Sequence, residues 1–146
     1  MKAFQFPLEK VLNIREKELE VLNADWLMIR RKVEIKEEQL KTLDQHLQEL
    51  TNKKNQRMLG AISGFELKQF TQSEQAIRLL RKEKVNELRQ LHQKLDMALV
   101  KRNQKKQEVS GLTKLKEKKQ LEHEDKVRKF EEATIESQWL MNMNVR

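Results

Sequence analysis

Apolar residues recur at alternating spacings of three and four between positions 12 and 50 of the chain. Every position of this stripe is apolar except Arg15 and Lys36. A repeat of 3.5 residues keeps the apolar side chains on one narrow side of a helix, which another helix covers well. The pattern therefore predicts a long helix that packs along a second one. The apolar members of the stripe are Leu12, Leu19, Leu22, Trp26, Ile29, Val33, Leu40, Leu43, Leu47 and Leu50.

Three positions of this stripe are unusual for a pair of helices. Trp26 is large, so we expect either a locally wide gap or a small residue opposite it. Lys36 should extend its charged end outward and help to fix the register of the pair. Arg15 comes near the start of the helix, where we favour contact with a partner protein.

The pattern breaks between residues 51 and 64, where the stripe turns polar and two of the three glycines occur. Ser63 and Glu66 fit a capping box, in which the serine accepts a backbone hydrogen bond and the glutamate reaches back. Such a box begins a second helix, and the short connection makes the two helices antiparallel. Apolar positions then continue at Phe65, Leu67, Phe70, Ile77, Leu80, Leu88, Leu91, Leu95, Ala98, Val109 and Leu112.

The predicted fold is all-α: two long helices that form an antiparallel coiled coil, or αα-hairpin, with a C-terminal helical overhang. We expect a single domain over residues 1–146, with helices at about 7–59 and 64–138, a turn at about 60–64 and a tail at 139–146. The second helix exceeds the first by about 20 residues, so roughly 30 Å of it should extend beyond Pro7. This overhang remains apolar, which predicts an external partner, the alternative being a frayed tail. Its apolar residues are Val127, Phe130, Ile135, Trp139, Leu140 and Met141.

The segment before the first helix holds two aromatic residues, Phe4 and Phe6, followed by the only proline, Pro7. A proline in the first turn of a helix loses no hydrogen bond, and its φ angle is already helical. The two rings should therefore lie just outside the helix. Either they pack on the second helix as a staple, or they form an exposed docking point for another protein.

The composition agrees with long helices rather than with an ordinary globular core. Charged residues make up 37% of the chain and aromatic residues 5%, with three glycines and one proline. The alternative is a disordered charged chain, which the regular stripe disfavours. There is no cysteine, no signal-peptide pattern at the start and no run of about 20 apolar residues, so we expect a cytoplasmic protein without direct membrane insertion.

The net charge of +8 is unevenly distributed. Residues 78–129 contain 17 Lys and Arg against 8 Asp and Glu, so this part of the second helix carries the whole excess. It should attract an acidic partner, an anionic membrane surface or nucleic acid, unless it is simply a solvated helix face. The basic run at 101–106 lies inside the helix, between seam residues, and is not free to enter a groove of DNA. We therefore expect no nucleic-acid partner.

No pattern of catalytic residues is present, and we expect a protein that is not an enzyme. The glycines match neither nucleotide-binding fingerprint, and no cysteine provides a nucleophile. His46, His92 and His123 are far apart and share no metal-ligand spacing. We expect no catalytic residues, no cofactor and no metal.

Three parts of the chain carry distinctive motifs. The motifs are Phe4-x-Phe6-x-Leu8-x-x-Val11-Leu12-x-Ile14-Arg15-x-x-x-Leu19, then Gly60-Ala61-Ile62-Ser63, Gln69-Phe70 and Ala76-Ile77, then Glu117-Lys118-Lys119, Glu122-His123 and Glu131-Glu132-x-x-Ile135-Glu136. Together they resemble the FliJ family, small coiled-coil proteins of the bacterial flagellar type III export apparatus, related to YscO-type proteins of injectisomes. The beginning is the most specific, the middle keeps the family's order, and the end has its run of charged residues.

The resemblance implies a two-helix rod similar to the central stalk of rotary ATPases. Its open end would insert into the hexamer of the export ATPase, FliI in flagella, and promote assembly and activity. The rod would also contact the cytoplasmic domain of the export-gate protein FlhA and the export chaperones. The protein would then be a monomer on its own, cytoplasmic, and peripherally associated with the inner membrane at the export apparatus.

The resemblance also implies two sets of contact residues. Phe70 matches the gate-contacting phenylalanine of the family, but the leucine that can follow four residues later is Glu74 here, and Ile77 is the nearest apolar substitute. The gate-binding set is Phe65, Phe70 and Ile77. The ATPase-binding set is Phe4, Phe6, Leu8, Leu12, Arg15, Phe130, Glu132 and Ile135.

Two other functions remain open. One is a general coiled-coil adaptor or substrate chaperone, or the injectisome equivalent of the family. The other is a basic helix that binds nucleic acid, which steep salt dependence of binding to duplex DNA would reveal.

Overall fold

The computed structural model describes residues 2–144, and two α-helices account for most of them. Helix α1 spans Glu9–Met58 and helix α2 spans Gly64–Asn144, and the described residues contain no strand. The predicted all-α fold of two long helices packed together is confirmed. Both helices begin and end close to the predicted positions, except at the end of α2.

The start of each helix follows from local hydrogen bonding. The N–H of Glu9 donates to the carbonyl of Phe6 at 3.1 Å, which closes the turn through Pro7. The N–H of Glu66 donates to the Ser63 hydroxyl oxygen at 3.1 Å, as a capping box requires. The return contact is not made, because the Glu66 carboxylate accepts hydrogen bonds from Arg57 at 2.9 and 3.0 Å. Glu66 therefore joins the ends of the two helices instead of completing the box.

Helix α2 continues past the end predicted near Gln138 and reaches Asn144. The segment from Trp139 onward, which we expected to form a tail, is helical as far as it is described. Residues 145–146 of that segment lie outside the described part of the chain. None of the residues between Glu131 and Asn144 is glycine or proline, so nothing in the local sequence ends the helix earlier.

The chain divides into two units, and each is built from both helices. The first unit contains the chain up to Val21 and from Arg102 onward, and the second contains Leu22–Lys101. In the second unit, residues further along α1 pair with residues nearer the start of α2. Lys36 pairs with Glu87, and Arg57 pairs with Glu66. Those pairs define antiparallel helices.

The first unit is antiparallel in the same sense. Glu9 pairs with Lys116 at 2.9 Å and Glu18 with Lys105 at 2.7 Å. Its buried apolar residues are Phe6 and Leu12, with 7% and 4% of their surface exposed. A two-helix seam has only one contact line, so few side chains become fully buried.

The second unit shows how the seam accommodates Trp26. Val33 and Ala98 are its buried apolar residues. Counting ten residues back along α1 from Lys36 and ten forward along α2 from Glu87 brings Trp26 level with Met97, one residue before the buried Ala98. A small buried residue therefore lies close to the level of the indole in the seam. Trp26 itself is half-buried, and the Arg30 guanidinium lies over its ring at 5.4 Å from the centroid.

Candidate partner-binding surfaces

The segment before α1 packs against α2 within the first unit. Phe6 is buried, and the Phe4 ring lies 5.7 Å from the His123 ring, centroid to centroid, tilted by 41°. Of the two roles considered for these rings, the structure shows the packed one for Phe6. Phe4 is half-buried and Leu8 is exposed, so part of this apolar segment still faces solvent.

Behind this segment, four charged side chains form a cluster across the two helices. Arg15 donates to Glu18 at 3.0 and 3.1 Å and lies 3.6 Å from Glu108, while Lys105 lies 2.7 Å from Glu18 and 3.0 Å from Glu108. The hydrogen bond from Lys105 lowers the pKa of Glu18, and the same bond raises the pKa of Lys105. Arg15 is therefore committed to ion pairs inside the unit, although a partial exposure leaves it reachable.

Beyond Val127, helix α2 continues as an exposed helix, here called the overhang, residues 128–144. Every one of these side chains is exposed. Near its base, Asp125 pairs with Arg128 at 2.6 Å and with Lys129 at 3.2 Å, and the hydrogen bond from Lys129 lowers the pKa of Asp125. The apolar residues of the overhang with more than half of their surface exposed are Phe130, Ile135, Trp139, Leu140, Met141 and Met143.

The apolar residues of the overhang lie on two different sides of the helix. With about 100° between successive residues, Phe130 and Met141 point to one side, and Val127 precedes them there. Ile135, Trp139 and Met143 follow at spacings of four and lie on the other side. A single flat surface could cover only one of these sides. A partner that covers both must surround the overhang or contribute two surfaces.

The predicted ATPase-binding residues thus occupy different environments. Leu12 and Phe6 are buried within the chain, and Arg15 is held in the charged cluster. Phe130, Glu132 and Ile135 lie on the exposed overhang, with Glu132 at 3.9 Å from Arg128. The structure brings the N-terminal residues together with α2 near His123, but Phe130 and Ile135 lie about 140° apart around the helix.

The predicted gate-binding residues are also split, although all belong to the second unit. Phe65 is 70% exposed beside the turn between the helices. Phe70 and Ile77 are half-buried, seven residues apart on the side of α2 that faces α1. Part of each side chain therefore serves the seam, and only the exposed part is available to a partner.

Glu74 lies between Phe70 and Ile77 on the same side of α2 and is 4% exposed. Its Oε1 atom lies 3.2 Å from Lys54 Nζ, in an ion pair that lacks hydrogen-bonding geometry, and its Oε2 atom lies 3.6 Å from Arg78. Sequence reasoning treated Glu74 only as a missing leucine. The spacing of four and three to its neighbours was the signal that it belongs to the seam.

The described residues contain no group of side chains arranged to hold a metal ion. Among the same residues, neither helix has a stretch that is apolar and long enough to cross a membrane.

The comparisons with known proteins identify one family. No curated protein and no solved structure shows significant similarity to the chain. The sequence model of the family described as flagellar FliJ protein matches residues 4–135 of the 146. That match includes the N-terminal segment, both helices, the turn and the first part of the overhang. The chain therefore belongs to the FliJ family, whose members are non-catalytic components of flagellar protein export.

Proposed function

We propose that this protein is the stalk of the flagellar export machinery. In this proposal it binds the hexamer of the FliI-type export ATPase and promotes its assembly and activity. It also links the ATPase to the FlhA-type export gate and to export chaperones at the inner membrane. Family membership supports a role in flagellar export, and the exposed surfaces of the chain support the choice of partners.

The overhang is the observation that carries the ATPase part of the proposal. A helix that exposes Trp139, Ile135 and Phe130 to water keeps a large apolar area uncovered. Exposed apolar patches of this kind mark sites of association. Because the apolar residues lie on two sides, a ring of subunits that surrounds the helix fits better than a single flat partner.

The N-terminal residues have a different role within the same proposal. Phe6 and Leu12 are buried against α2, so they hold the segment in place and do not meet a partner directly. Leu8, which is 38% exposed, and the exposed parts of Phe4 and Arg15 are the contact residues at this end of the chain. The pairing of Arg15 with Glu18 and Glu108 would have to rearrange if Arg15 met an acidic group on the ATPase.

The ATPase contact is tested with the export ATPase of the same organism, by measuring the rate of ATP hydrolysis and the size of the oligomer. The full chain should raise both. Ile135→Ala and Trp139→Ala should weaken the stimulation, since each removes an exposed apolar side chain from the overhang. Leu121→Ala is the matched control, because Leu121 is as exposed as Ile135, at 66%, and lies on the same helix before the overhang.

Each outcome has a clear meaning. Reduced stimulation by the two overhang variants, with Leu121→Ala unchanged, supports insertion of the overhang. Equal effects of all three variants would indicate general loss of apolar surface. No stimulation by a folded, helical chain would contradict the stalk function.

The gate contact rests on Phe65, with the exposed parts of Phe70 and Ile77. Phe65→Ala should weaken binding to the cytoplasmic domain of the gate protein without changing helical content, because Phe65 is mostly exposed. Phe70→Ala should weaken binding as well. A fall in helical content in far-ultraviolet circular dichroism would instead assign Phe70 to the seam alone.

A second candidate function, that of an adaptor or substrate chaperone, is favoured by a groove in the second unit. Ile35, Leu43 and Leu80 line this groove together with Thr42 and His46, and its surface is largely apolar. Ile35 is 47% exposed and Leu80 42% exposed, so a helix of another protein can reach both. If Ile35→Ser abolishes chaperone binding but leaves ATPase stimulation intact, the result would support this function in addition to the first.

A further inference from the structure

The turn between the helices is more apolar than a turn requires. Residues 58–65, here called the hairpin tip, contain no charged residue. Leu59 is 90% exposed, Phe65 70% and Met58 50%. A short connection between antiparallel helices needs only glycine and small polar residues, which Gly60, Ser63 and Gly64 already supply. The exposed apolar side chains therefore do not serve the turn itself.

The charges beside the hairpin tip are predominantly positive. Residues 51–74 contain four Lys and Arg against two Glu. Both glutamates are engaged inside the chain, Glu66 with Arg57 at 2.9 Å and Glu74 with Lys54 at 3.2 Å. The remaining two cations, Lys53 and Lys68, are exposed on either side of the tip. An exposed apolar turn with positive flanks is complementary to a surface that is apolar inside and negative outside.

The overhang provides an internal comparison, since it is also apolar but has the opposite net charge. Its residues 128–144 contain Glu131, Glu132 and Glu136 against Arg128 and Lys129, and no Lys or Arg occurs between 130 and 144. A negatively charged surface would repel this segment and attract the hairpin tip. Because their charges are opposite, the hairpin tip and the overhang suit different kinds of partner.

We propose that the hairpin tip binds the surface of an anionic lipid bilayer. Leu59 and Phe65 enter the boundary between headgroups and acyl chains, and Lys53 and Lys68 lie at the lipid phosphates. A fluid bilayer needs no fitted pocket to accept leucine, phenylalanine and methionine side chains, which suits the apolar side chains of an exposed turn. Because the tip is short and no described helix can span a membrane, binding is peripheral and depends on salt. The proposal does not depend on the ATPase contact, and it shares Phe65 with the proposed gate contact, so the tip would meet the bilayer and the gate as alternative partners.

The insertion is tested with a fluorescent reporter in the full chain. Trp26 and Trp139 are replaced by phenylalanine, and Leu59→Trp places the only indole at the tip. Vesicles of phosphatidylcholine with 30% phosphatidylglycerol should shift its emission to shorter wavelength, and brominated lipids should quench it. Vesicles of phosphatidylcholine alone should do neither. Leu79→Trp is the matched control, because Leu79 is 63% exposed in the same unit but lies away from the turn.

The charge requirement is tested by vesicle flotation of the chain. Lys53→Glu with Lys68→Glu should weaken binding at least tenfold, and Leu59→Ser with Phe65→Ser should abolish it. Lys101→Glu with Lys106→Glu makes the same change in net charge on a part of α2 away from the tip and should have little effect. Circular dichroism of each variant confirms that the helices are intact.

Several results would overturn the proposal. An unchanged Leu59→Trp spectrum with anionic vesicles would do so, as would an equal response of Leu79→Trp. Equal loss of flotation with the variants at 101 and 106 would show that overall positive charge, not the tip, drives binding. A Leu59→Trp response to the gate protein's cytoplasmic domain, without a response to vesicles, would assign the tip to a protein partner.

Discussion

The ion pair between Lys54 and Glu74 leads to a prediction about stability that depends on burial rather than on distance. The Glu74 side chain is 5% exposed, whereas the Lys54 side chain is 23% exposed. If Lys54 is replaced by methionine, the carboxylate remains buried, with only Arg78 at 3.6 Å to compensate for it. If Glu74 is replaced by methionine, the lysine can extend its ammonium group into water. Two substitutions that break the same pair should therefore differ in cost.

The magnitudes follow from the cost of leaving a buried charge without its partner. Removing one member of a buried pair costs about 3–5 kcal/mol, and the nearby Arg78 should reduce this for Lys54→Met to about 2–3 kcal/mol. Glu74→Met should cost about 0–1 kcal/mol, since the added apolar contact offsets much of the lost attraction. The double variant should match the wild type or exceed it by about 1–3 kcal/mol, as replacements of buried ion pairs by apolar residues commonly do.

The assay is urea unfolding followed by far-ultraviolet circular dichroism, in which the midpoint is compared at an unchanged slope. The exposed pair of Asp44 and Arg81 is the control. Its atoms are closer, at 2.6 Å, but its side chains are 46% and 44% exposed. Asp44→Asn should change stability by less than about 1 kcal/mol, because exposed ion pairs contribute little. Greater destabilisation by Glu74→Met than by Lys54→Met, or by Asp44→Asn than by Lys54→Met, would refute the reasoning.

Two further predictions concern the N-terminal segment and pH. Phe6→Ala should release residues 2–8 from α2, seen as faster amide hydrogen exchange there with helical content unchanged; unaltered exchange would show that Phe6 does not hold the segment. The pKa of Glu87 is lowered below its ordinary 4.5, chiefly by the hydrogen bond from Lys36, and the pKa of Lys36 is raised above 10.5 by the same bond. The stability that this ion pair adds is therefore fully present between the ordinary pKa values of the two groups, 4.5 and 10.5. It is lost as pH falls through the folded-state pKa of Glu87, and lost again as pH rises through the folded-state pKa of Lys36. Melting temperature measured against pH should show a weaker acid-side decline for Glu87→Gln than for the wild type, and identical curves would contradict the assignment.

The fold was predictable because the stripe from Leu12 to Leu50 keeps its spacing of three and four throughout, despite Arg15 and Lys36, and so specifies one side of a helix. The turn was equally clear, since Gly60, Ser63 and Gly64 occur together where the stripe ends. The end of α2 was misplaced because the sequence after Gln138 contains neither a cap nor a breaker, and the thinning of the apolar stripe was taken as the end of the helix. Where the local sequence contains neither a cap nor a breaker, the position at which a helix ends depends on its surroundings in the folded protein.

The candidate surfaces were predictable only in part. Which apolar residues share an end of the hairpin follows from the topology, and together with the family resemblance this placed Phe6, Leu12 and Phe130 in one set. The packing against α2 decides which of these residues the chain itself buries. A heptad pattern describes helices only, so it does not show that Phe6, which precedes the helix, is buried. The partners of Glu74 depend on the register between two distant segments. A single sequence does not fix that register to within a turn.

The distribution of charges in the seam favours the pairing of α1 with α2 over a parallel pairing with a second copy of α1. The charged residues that α1 places in its stripe, Arg15 and Lys36, are positive, and Lys54 follows them at the next charged position. Their acidic partners across the seam, Glu108, Glu87 and Glu74, lie on α2, and Arg15 also pairs with Glu18 on α1. Two copies of α1 side by side in parallel register would set each of these cations against its own equivalent. Like charges opposed in a seam are unfavourable, and one such polar position can decide which helices pair. The same cations are therefore compatible with the intramolecular hairpin and disfavour a parallel pairing of two α1 helices.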